Sequence, residues 1–142
     1  MYEYRVLIKR VVDGDTVDVD IDLGFGIWMR DERIRIMGID TPESRTSDDV
    51  EKVFGLAAKK RLSELLGETG ILRTQVDKSG EDAKGKFGRI LGDFAVGDKT
   101  VTQILIEEGH AVSYYGGSKE ELQEMHKANR ALLIAEGVVT LP

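Results

Sequence analysis

The sequence predicts an α+β fold in which a five-stranded β-barrel of the OB type carries three α-helices. Three observations support this prediction. Apolar and polar residues alternate along the first third of the chain, an apolar repeat of helical spacing fills the middle, and two further strand-like segments precede two helix-start signatures. Five short strands with a helix between the third and the fourth are typical of the OB-fold, whose faces and loops commonly bind oligonucleotides.

The first third is expected to form three strands, at residues 4–12, 16–22 and 33–37. Asp13-Gly14, between the first two, is a hairpin-turn signal. The second strand alternates strictly, and its spaced aspartates begin like an EF-hand loop, but the glycine comes one place late and Met29 stands where that loop needs glutamate. We therefore interpret these aspartates as a solvated strand face. The core face is Val17, Val19 and Ile21, and Thr16, Asp18, Asp20 and Asp22 lie on the other face.

The rest of the chain is expected to contain three helices and two strands. The first helix ends at Gly67, a residue type that favours helix C-termini, and strands follow near residues 70–76 and 89–96. Thr100-Val101-Thr102-Gln103 has the form of a capping box that opens a helix ending at Gly109. Ser118-Lys119-Glu120-Glu121 repeats that signature before a last helix that stops at Gly137. The first helix is indicated by Val50, Phe54, Ala57, Ala58, Leu62 and Leu65.

Length and composition exclude several classes of protein. The 142 residues fit a single domain, 1–142, because no repeat, low-complexity tract or linker divides them. No apolar run approaches the roughly 18 residues of a membrane helix, so no membrane partner is expected. The first residues lack a secretory signal, so the chain as written is expected to be intracellular, or secreted if a signal has been removed. Zero cysteines and two histidines exclude disulfides, thiolate catalysis and zinc sites built on cysteine or several histidines.

Two groups of carboxylates lie at predicted strand ends, in Asp13-Gly14-Asp15-Thr16 and in Asp40-Thr41-Pro42-Glu43. Asp15 shares the parity of the core face, so it points into the barrel at its rim, where an unpaired charge is costly. A hard cation such as Ca²⁺ would remove that cost, because it binds carboxylate and carbonyl oxygens. Taken singly, each motif is better explained as a turn or as the start of a loop.

The net charge of −6 has the wrong sign for a nucleic-acid partner, unless positive charge is concentrated locally or supplied by a cation. Arg35 and the segment Lys84-Gly85-Lys86-Phe87-Gly88-Arg89 are candidates for such a concentration. Two arginines beside a metal could hold one phosphate from two sides through their planar donors. Alternatively, Arg35 is a solvated strand residue and Arg89 a surface charge.

Four sequence blocks, in order and at matching spacing, resemble the staphylococcal nuclease family, which includes the thermonucleases and micrococcal nucleases. The resemblance covers nearly the whole chain and implies the same OB-type barrel with three helices. The blocks are Val12-Asp13-Gly14-Asp15-Thr16-Val17, Arg35-Ile36-Met37-Gly38-Ile39-Asp40-Thr41-Pro42-Glu43, Lys86-Phe87-Gly88-Arg89 and Glu107-Glu108-Gly109-His110-Ala111.

The resemblance implies a Ca²⁺-dependent nuclease that hydrolyses phosphodiester bonds of DNA, RNA or both and leaves 3′-phosphate ends. Asp15, Asp40 and the Thr41 carbonyl match the family's calcium ligands, with Asp13 in an outer shell. Arg35 and Arg89 match its catalytic arginines, and Glu43 matches the carboxylate that holds the attacking water. Lys84, Lys86, Phe87, Tyr114 and Tyr115 fall at or near positions that contact substrate, and the protein is expected to act as a monomer.

The chain also departs from the family pattern. Phe87 stands where well-known members carry a tyrosine, so a hydroxyl contact to phosphate is lost, and the acidic net charge suggests a weaker hold on long nucleic acid. The alternative is a non-catalytic OB-fold module that binds nucleic acid or protein. The joint presence of the predicted catalytic and metal residues favours the enzyme. His110 and His126 are expected to have structural or surface roles.

Overall fold

A computed structural model describes residues 2–75, 89–114 and 118–142. The strands and helices follow the predicted order, with three additional two-residue strands. They are β1 (Tyr2–Asp13), β2 (Thr16–Asp22), β3 (Trp28–Ile36), β4 (Ile39–Asp40), α1 (Asp49–Leu66), β5 (Thr69–Thr74), β6 (Ile90–Val96), β7 (Lys99–Thr100), α2 (Val101–Glu107), β8 (Val112–Ser113) and α3 (Lys119–Ala135).

Five strands close into a barrel. β1 pairs antiparallel with both β2 and β5, β2 pairs with β3, and β5 pairs with β6. The barrel closes where β6 runs parallel to β3, with Ile34 opposite Ile90 and Arg35 opposite Leu91. β7 extends the sheet beyond β6, and β4 pairs with β8 in a separate two-stranded sheet. The predicted five-stranded barrel with three helices is therefore confirmed.

The barrel is filled by the apolar face that the alternation predicted. Val17 and Val19 are completely buried, and Ile21 is nearly so. They pack with apolar residues of the other strands, of α1 and of α2 in one continuous core. Burying each such side chain contributes about 1.5–3 kcal/mol relative to leaving it in water, so this cluster supplies most of the driving force for closure.

The interpretation of the β2 aspartates as a solvated face is wrong for Asp20, which is buried. Its side chain is only 3% exposed, and it accepts hydrogen bonds from the backbone N–H of Asp31 and from Arg30 Nη1, with Lys9 Nζ at 3.7 Å. The Asp31 hydrogen bond is the main cause that lowers the pKa of Asp20. β3 begins at Trp28, five residues before the predicted start, in a stretch where apolar and polar residues do not alternate.

The helix boundaries follow from local capping. Thr100 and Gln103 form the predicted capping box at the start of α2, with both reciprocal hydrogen bonds present. α1 ends at Gly67, whose φ of 68° lies in the left-handed region that glycine tolerates. Ser118 caps α3 by accepting from the backbone N–H of Glu121. Within the described helices, none is both long enough and apolar enough to cross a membrane.

His110 is buried between α2 and β8, with 5% of its surface exposed. Burial lowers the pKa of the imidazole below its ordinary value, and this outweighs the opposing effect of the Glu108 carboxylate. Its Nδ1 atom has no hydrogen-bond partner among the described residues. The neutral form of His110 is therefore favoured more in the folded protein than in the unfolded chain.

We expect acidification to destabilise the fold through His110. An unfolded histidine takes up a proton near pH 6.5, whereas the buried ring resists protonation, so this contribution is present above about pH 6.5 and is lost as the pH falls towards the lower folded-state pKa. Urea unfolding of the wild type and His110→Leu between about pH 7.5 and pH 5 measures it. The variant should lose less stability over this range than the wild type, and parallel curves would contradict the assignment.

Candidate active site

The β1–β2 turn carries the first candidate carboxylates. Gly14 and Asp15 form the turn, and Asp13 pairs with Thr16 across it. The Asp15 carboxylate accepts a 2.9 Å hydrogen bond from the Thr16 hydroxyl, and its backbone carbonyl accepts one of 2.8 Å from Ile36 N–H. Asp15 is therefore held at the mouth of the barrel, at the end where β2 begins and β3 ends.

Arg35 spans the same mouth and is held more tightly than a solvated strand residue. Only 18% of its side chain is exposed. Its Nη1 donates to the carbonyl of Ile36 at 2.6 Å, and its Nη2 donates to the carbonyl of Ile39 at 2.9 Å. Nη2 also lies 3.4 Å from Asp15 Oδ2. Arg35 therefore joins the end of β3 to the β1–β2 turn, and the interpretation of it as a solvated residue is wrong.

The segment that contains the other candidate residues is wedged against this turn. Asp40 lies on β4 and pairs with Val112 of β8. Thr41 is buried against Gly14, where an added Cβ would lie 3.0 Å from the Thr41 hydroxyl. The Ser44 N–H donates to Asp13 Oδ1 at 3.2 Å. These contacts hold the backbone next to Glu43, which is exposed between two buried neighbours.

Gly55 of α1 fixes the backbone of Glu43 from the other side, and the sequence analysis missed it. A Cβ at position 55 would collide with the carbonyl of Glu43 and would lie 2.6 Å from the backbone nitrogen of Ser44. Only a residue without a side chain allows α1 to approach this closely. A buried glycine inside an otherwise regular helix was a possible sequence signal, because glycine weakens a helix unless packing requires it.

Arg89 lies immediately before β6, next to the parallel pairing of β6 with β3. It shares a cavity of about 530 Å³ with Asp13 and Thr16 of the β1–β2 hairpin. Barrel closure therefore brings Arg89 to the same hairpin that carries Asp15. The cavity is lined by Val12, Asp13, Thr16, Asp31, Glu32, Arg33 and Arg89.

The electrostatics of the mouth favour a cation. Burial raises the pKa of the Asp15 carboxyl, with Arg35 acting in the opposite direction and the negative charges of Asp13 and Asp40 adding to the rise. The hydroxyl of Thr41 is buried without a hydrogen-bond partner among the described residues. Carboxylate and neutral oxygen donors suit a hard cation such as Ca²⁺. In residues 2–75, 89–114 and 118–142, no three His, Asp or Glu side chains cluster closely enough to hold a metal by themselves.

His126 approaches the site from α3. Its Nε2 atom lies 2.8 Å from Asp40 Oδ2, although the two residues are 86 positions apart in the chain. Sequence analysis assigned this histidine a structural or surface role. No local signal links the two positions, because the contact depends on how α3 packs against β4 and β8.

The predicted substrate contacts are only partly within the described residues. Tyr114 is half-buried, and its N–H donates to the carbonyl of Gly38, two residues before Asp40. It therefore lies beside β4, near the candidate carboxylates. Lys84, Lys86, Phe87 and Tyr115 lie outside the described residues.

Comparison with known proteins identifies relatives. Residues 33–132 match the family described as Staphylococcal nuclease homologue. The thermonuclease of Staphylococcus intermedius is 34% identical over 105 residues, which are 74% of this chain and 56% of that protein. The SPbeta prophage-derived endonuclease YokF of Bacillus subtilis is 30% identical over 144 residues, covering 95% of this chain and 46% of that protein. The chain therefore spans about half the length of these relatives.

We expect Gly55→Ala to impair both the fold and the site. The added methyl group must displace the Glu43–Ser44 backbone or α1, and overpacking of this kind costs typically about 1–3 kcal/mol. Chemical unfolding measures the loss of stability, and Lys52→Ala at an exposed position of the same helix is the control. Unchanged stability in Gly55→Ala would show that the contact relaxes without cost.

Asp15→Asn should stabilise the protein when divalent cations are chelated. Burial raises the pKa of Asp15, so at neutral pH the folded protein disfavours the charge, and the neutral amide removes this penalty. Melting in EDTA at neutral pH should show a higher midpoint for the variant. The advantage should shrink as the pH falls towards about 3.9, where a carboxyl is protonated in the unfolded chain as well.

The control for this substitution is Asp18→Asn on β2, which breaks a paired contact with Arg33 and should not stabilise the protein. A lower midpoint for Asp15→Asn in EDTA would mean that the Arg35 ion pair outweighs the cost of burial.

Proposed function

Because the chain belongs to the staphylococcal nuclease family, we propose that it is a Ca²⁺-dependent nuclease that hydrolyses phosphodiester bonds of DNA, RNA or both. Its relatives include proteins named thermonuclease and endonuclease. The candidate residues lie within residues 33–132, which match the family, apart from Asp13 and Asp15, which precede residue 33.

The observation that carries this proposal is the position of the Arg35 guanidinium between two backbone carbonyls and the carboxylate of Asp15. The guanidinium is oriented by the carbonyls of Ile36 and Ile39, and its contact with Asp15 is the longest of the three, at 3.4 Å. If a cation bound Asp15, Nη2 of Arg35 would lose its contact with this carboxylate and could donate to a phosphate oxygen instead. A planar donor held in this way is suited to stabilising the charge that develops during phosphoryl transfer.

Each predicted residue then has a defined role. Asp15, Asp40 and the carbonyl of Thr41 would hold Ca²⁺, whose positive charge stabilises the phosphate oxygens. Arg35 and Arg89 contact the phosphate from two sides. Glu43, which is exposed but has a fixed backbone, orients the water for in-line attack on phosphorus.

The resemblance to the family also implies the products of the proposed reaction. The 5′ oxygen leaves, so the cleaved strand keeps a 3′-phosphate. We propose that the active unit is a monomer. With a net charge of −6, substrate binding relies on a few local cations and on the bound Ca²⁺.

We expect Glu43→Gln and Arg89→Lys to lower the rate of cleavage on the order of a hundredfold or more, because each removes a group that acts at the phosphate in the transition state. Arg35→Lys should lower the rate similarly and also destabilise the fold by about 1–3 kcal/mol, since it removes buried hydrogen bonds. Cleavage of single-stranded DNA at saturating Ca²⁺ and thermal melting measure the two effects. Addition of EDTA should abolish cleavage by the wild type.

Arg45→Lys is the matched control, because Arg45 is exposed two residues after Glu43. It should change neither rate nor stability. If Glu43→Gln and Arg89→Lys fold and retain near-wild-type turnover, these residues do not form an active site. A wild type that binds single-stranded DNA but does not cleave it would instead be a non-catalytic OB-fold binding module.

A further inference from the structure

The C-terminal helix α3 makes a shielded contact with the candidate cation site. His126 Nε2 lies 2.8 Å from Asp40 Oδ2, and only 13% of the His126 side chain and 34% of the Asp40 side chain are exposed. Because an ionised aspartate can only accept, the hydrogen lies on Nε2 and the imidazole donates to the carboxylate. The contact therefore fixes one oxygen of a predicted cation ligand.

Among the described residues, His126 is the only side chain shown to hydrogen-bond to the carboxylate of Asp40. Asp40 lies on β4, a two-residue strand that pairs with the equally short β8. The terminal torsion of an aspartate is broad, so the backbone alone does not set the direction in which the oxygens point. With Oδ2 bound to His126, Oδ1 is left to face the cation.

α3 is docked on the same small sheet by a second polar contact. Asn129 Nδ2 donates to the carbonyl of Ala111 at 3.3 Å, directly before Val112, the residue that pairs with Asp40. Of the residues of α3, all of which are described, only Leu133 is buried. Leu133 packs with Phe54 of α1, and the polar contacts of His126 and Asn129 both reach the two-stranded sheet that carries Asp40.

We propose that His126 is a positioning residue for the cation site: it orients the Asp40 carboxylate, so that cation affinity depends on the docking of α3. This inference rests on the proposed function only in taking Asp40 as a cation ligand. Partners that hydrogen-bond to a metal ligand typically contribute about 10–100-fold to metal affinity. By reciprocity, binding of the cation strengthens the docking of α3 by the same factor that docking strengthens binding.

The test measures Ca²⁺ binding by calorimetry for the wild type, His126→Leu and His126→Gln. Leucine keeps an apolar side chain on the helix but removes the donor, and we expect affinity to fall by about 10–100-fold. The amide nitrogen of glutamine reaches the position of Nε2, so this variant should recover most of the affinity. Asn129→Ala is the matched control, because it loosens α3 without touching Asp40, and we expect a smaller loss from it than from His126→Leu.

Hydrogen exchange gives a second readout that does not depend on catalysis. Ca²⁺ should increase the protection of the α3 amides in the wild type, and it should do so much less in His126→Leu. A histidine that only anchors the helix would lower protection with and without Ca²⁺ but would leave the increase caused by Ca²⁺ unchanged.

The outcomes separate this inference from the proposed function. A wild type that does not bind Ca²⁺ would overturn the cation assignment and this inference together. If the wild type binds and Asp40→Asn does not, unchanged affinity in folded His126→Leu would overturn the positioning role alone. The same conclusion would follow if folded His126→Gln bound as weakly as His126→Leu.

Discussion

Closure of the barrel places the side chains of Arg35 and Asp15 at its mouth, where little of either side chain is exposed to water. The hydrogen bonds of the Arg35 guanidinium stabilise this arrangement. The guanidinium bonds two backbone carbonyls where the chain leaves β3 and turns into β4, and it faces the carboxylate of Asp15. Without it, the two carbonyls would lose this donor and the Asp15 carboxylate would keep only the Thr16 hydroxyl, an arrangement that is costly in a poorly solvated site. The loop geometry from Ile36 to Asp40 depends on this side chain.

Asp15 in the β1–β2 turn and Asp20 on β2 show how the same residue type acquires different properties. Asp20 is withdrawn from water but is compensated by the N–H of Asp31 and by Arg30 and Lys9, and its pKa is lowered. Asp15 has one long ion pair and negative neighbours, and its pKa is raised. The first is a satisfied structural network. The second retains an unbalanced negative charge, which is the physical basis for expecting a cation there.

Close backbone approach positions the remaining parts of the site. Gly14 allows the β1–β2 turn to pack on Thr41, and Gly55 allows α1 to pack on the backbone of Glu43. The segment from Asp40 to Ser44 is therefore held between the turn and the helix, although only Asp40 belongs to a regular strand. A fixed backbone that presents an exposed carboxylate loses little conformational entropy when it acts, which suits a group that must orient one water molecule.

Local chemistry in the sequence determined the element order, the hairpin turn, the capping box of α2 and the core face of β2, because alternation and capping depend on neighbours a few residues apart. The motifs also identified Asp15, Arg35 and Asp40 as site candidates. Only the tertiary structure decided that Asp20 is buried, that β3 starts at Trp28, and that Gly55 and His126 reach the site. These features depend on contacts between residues far apart in the chain, which no spacing in the sequence encodes.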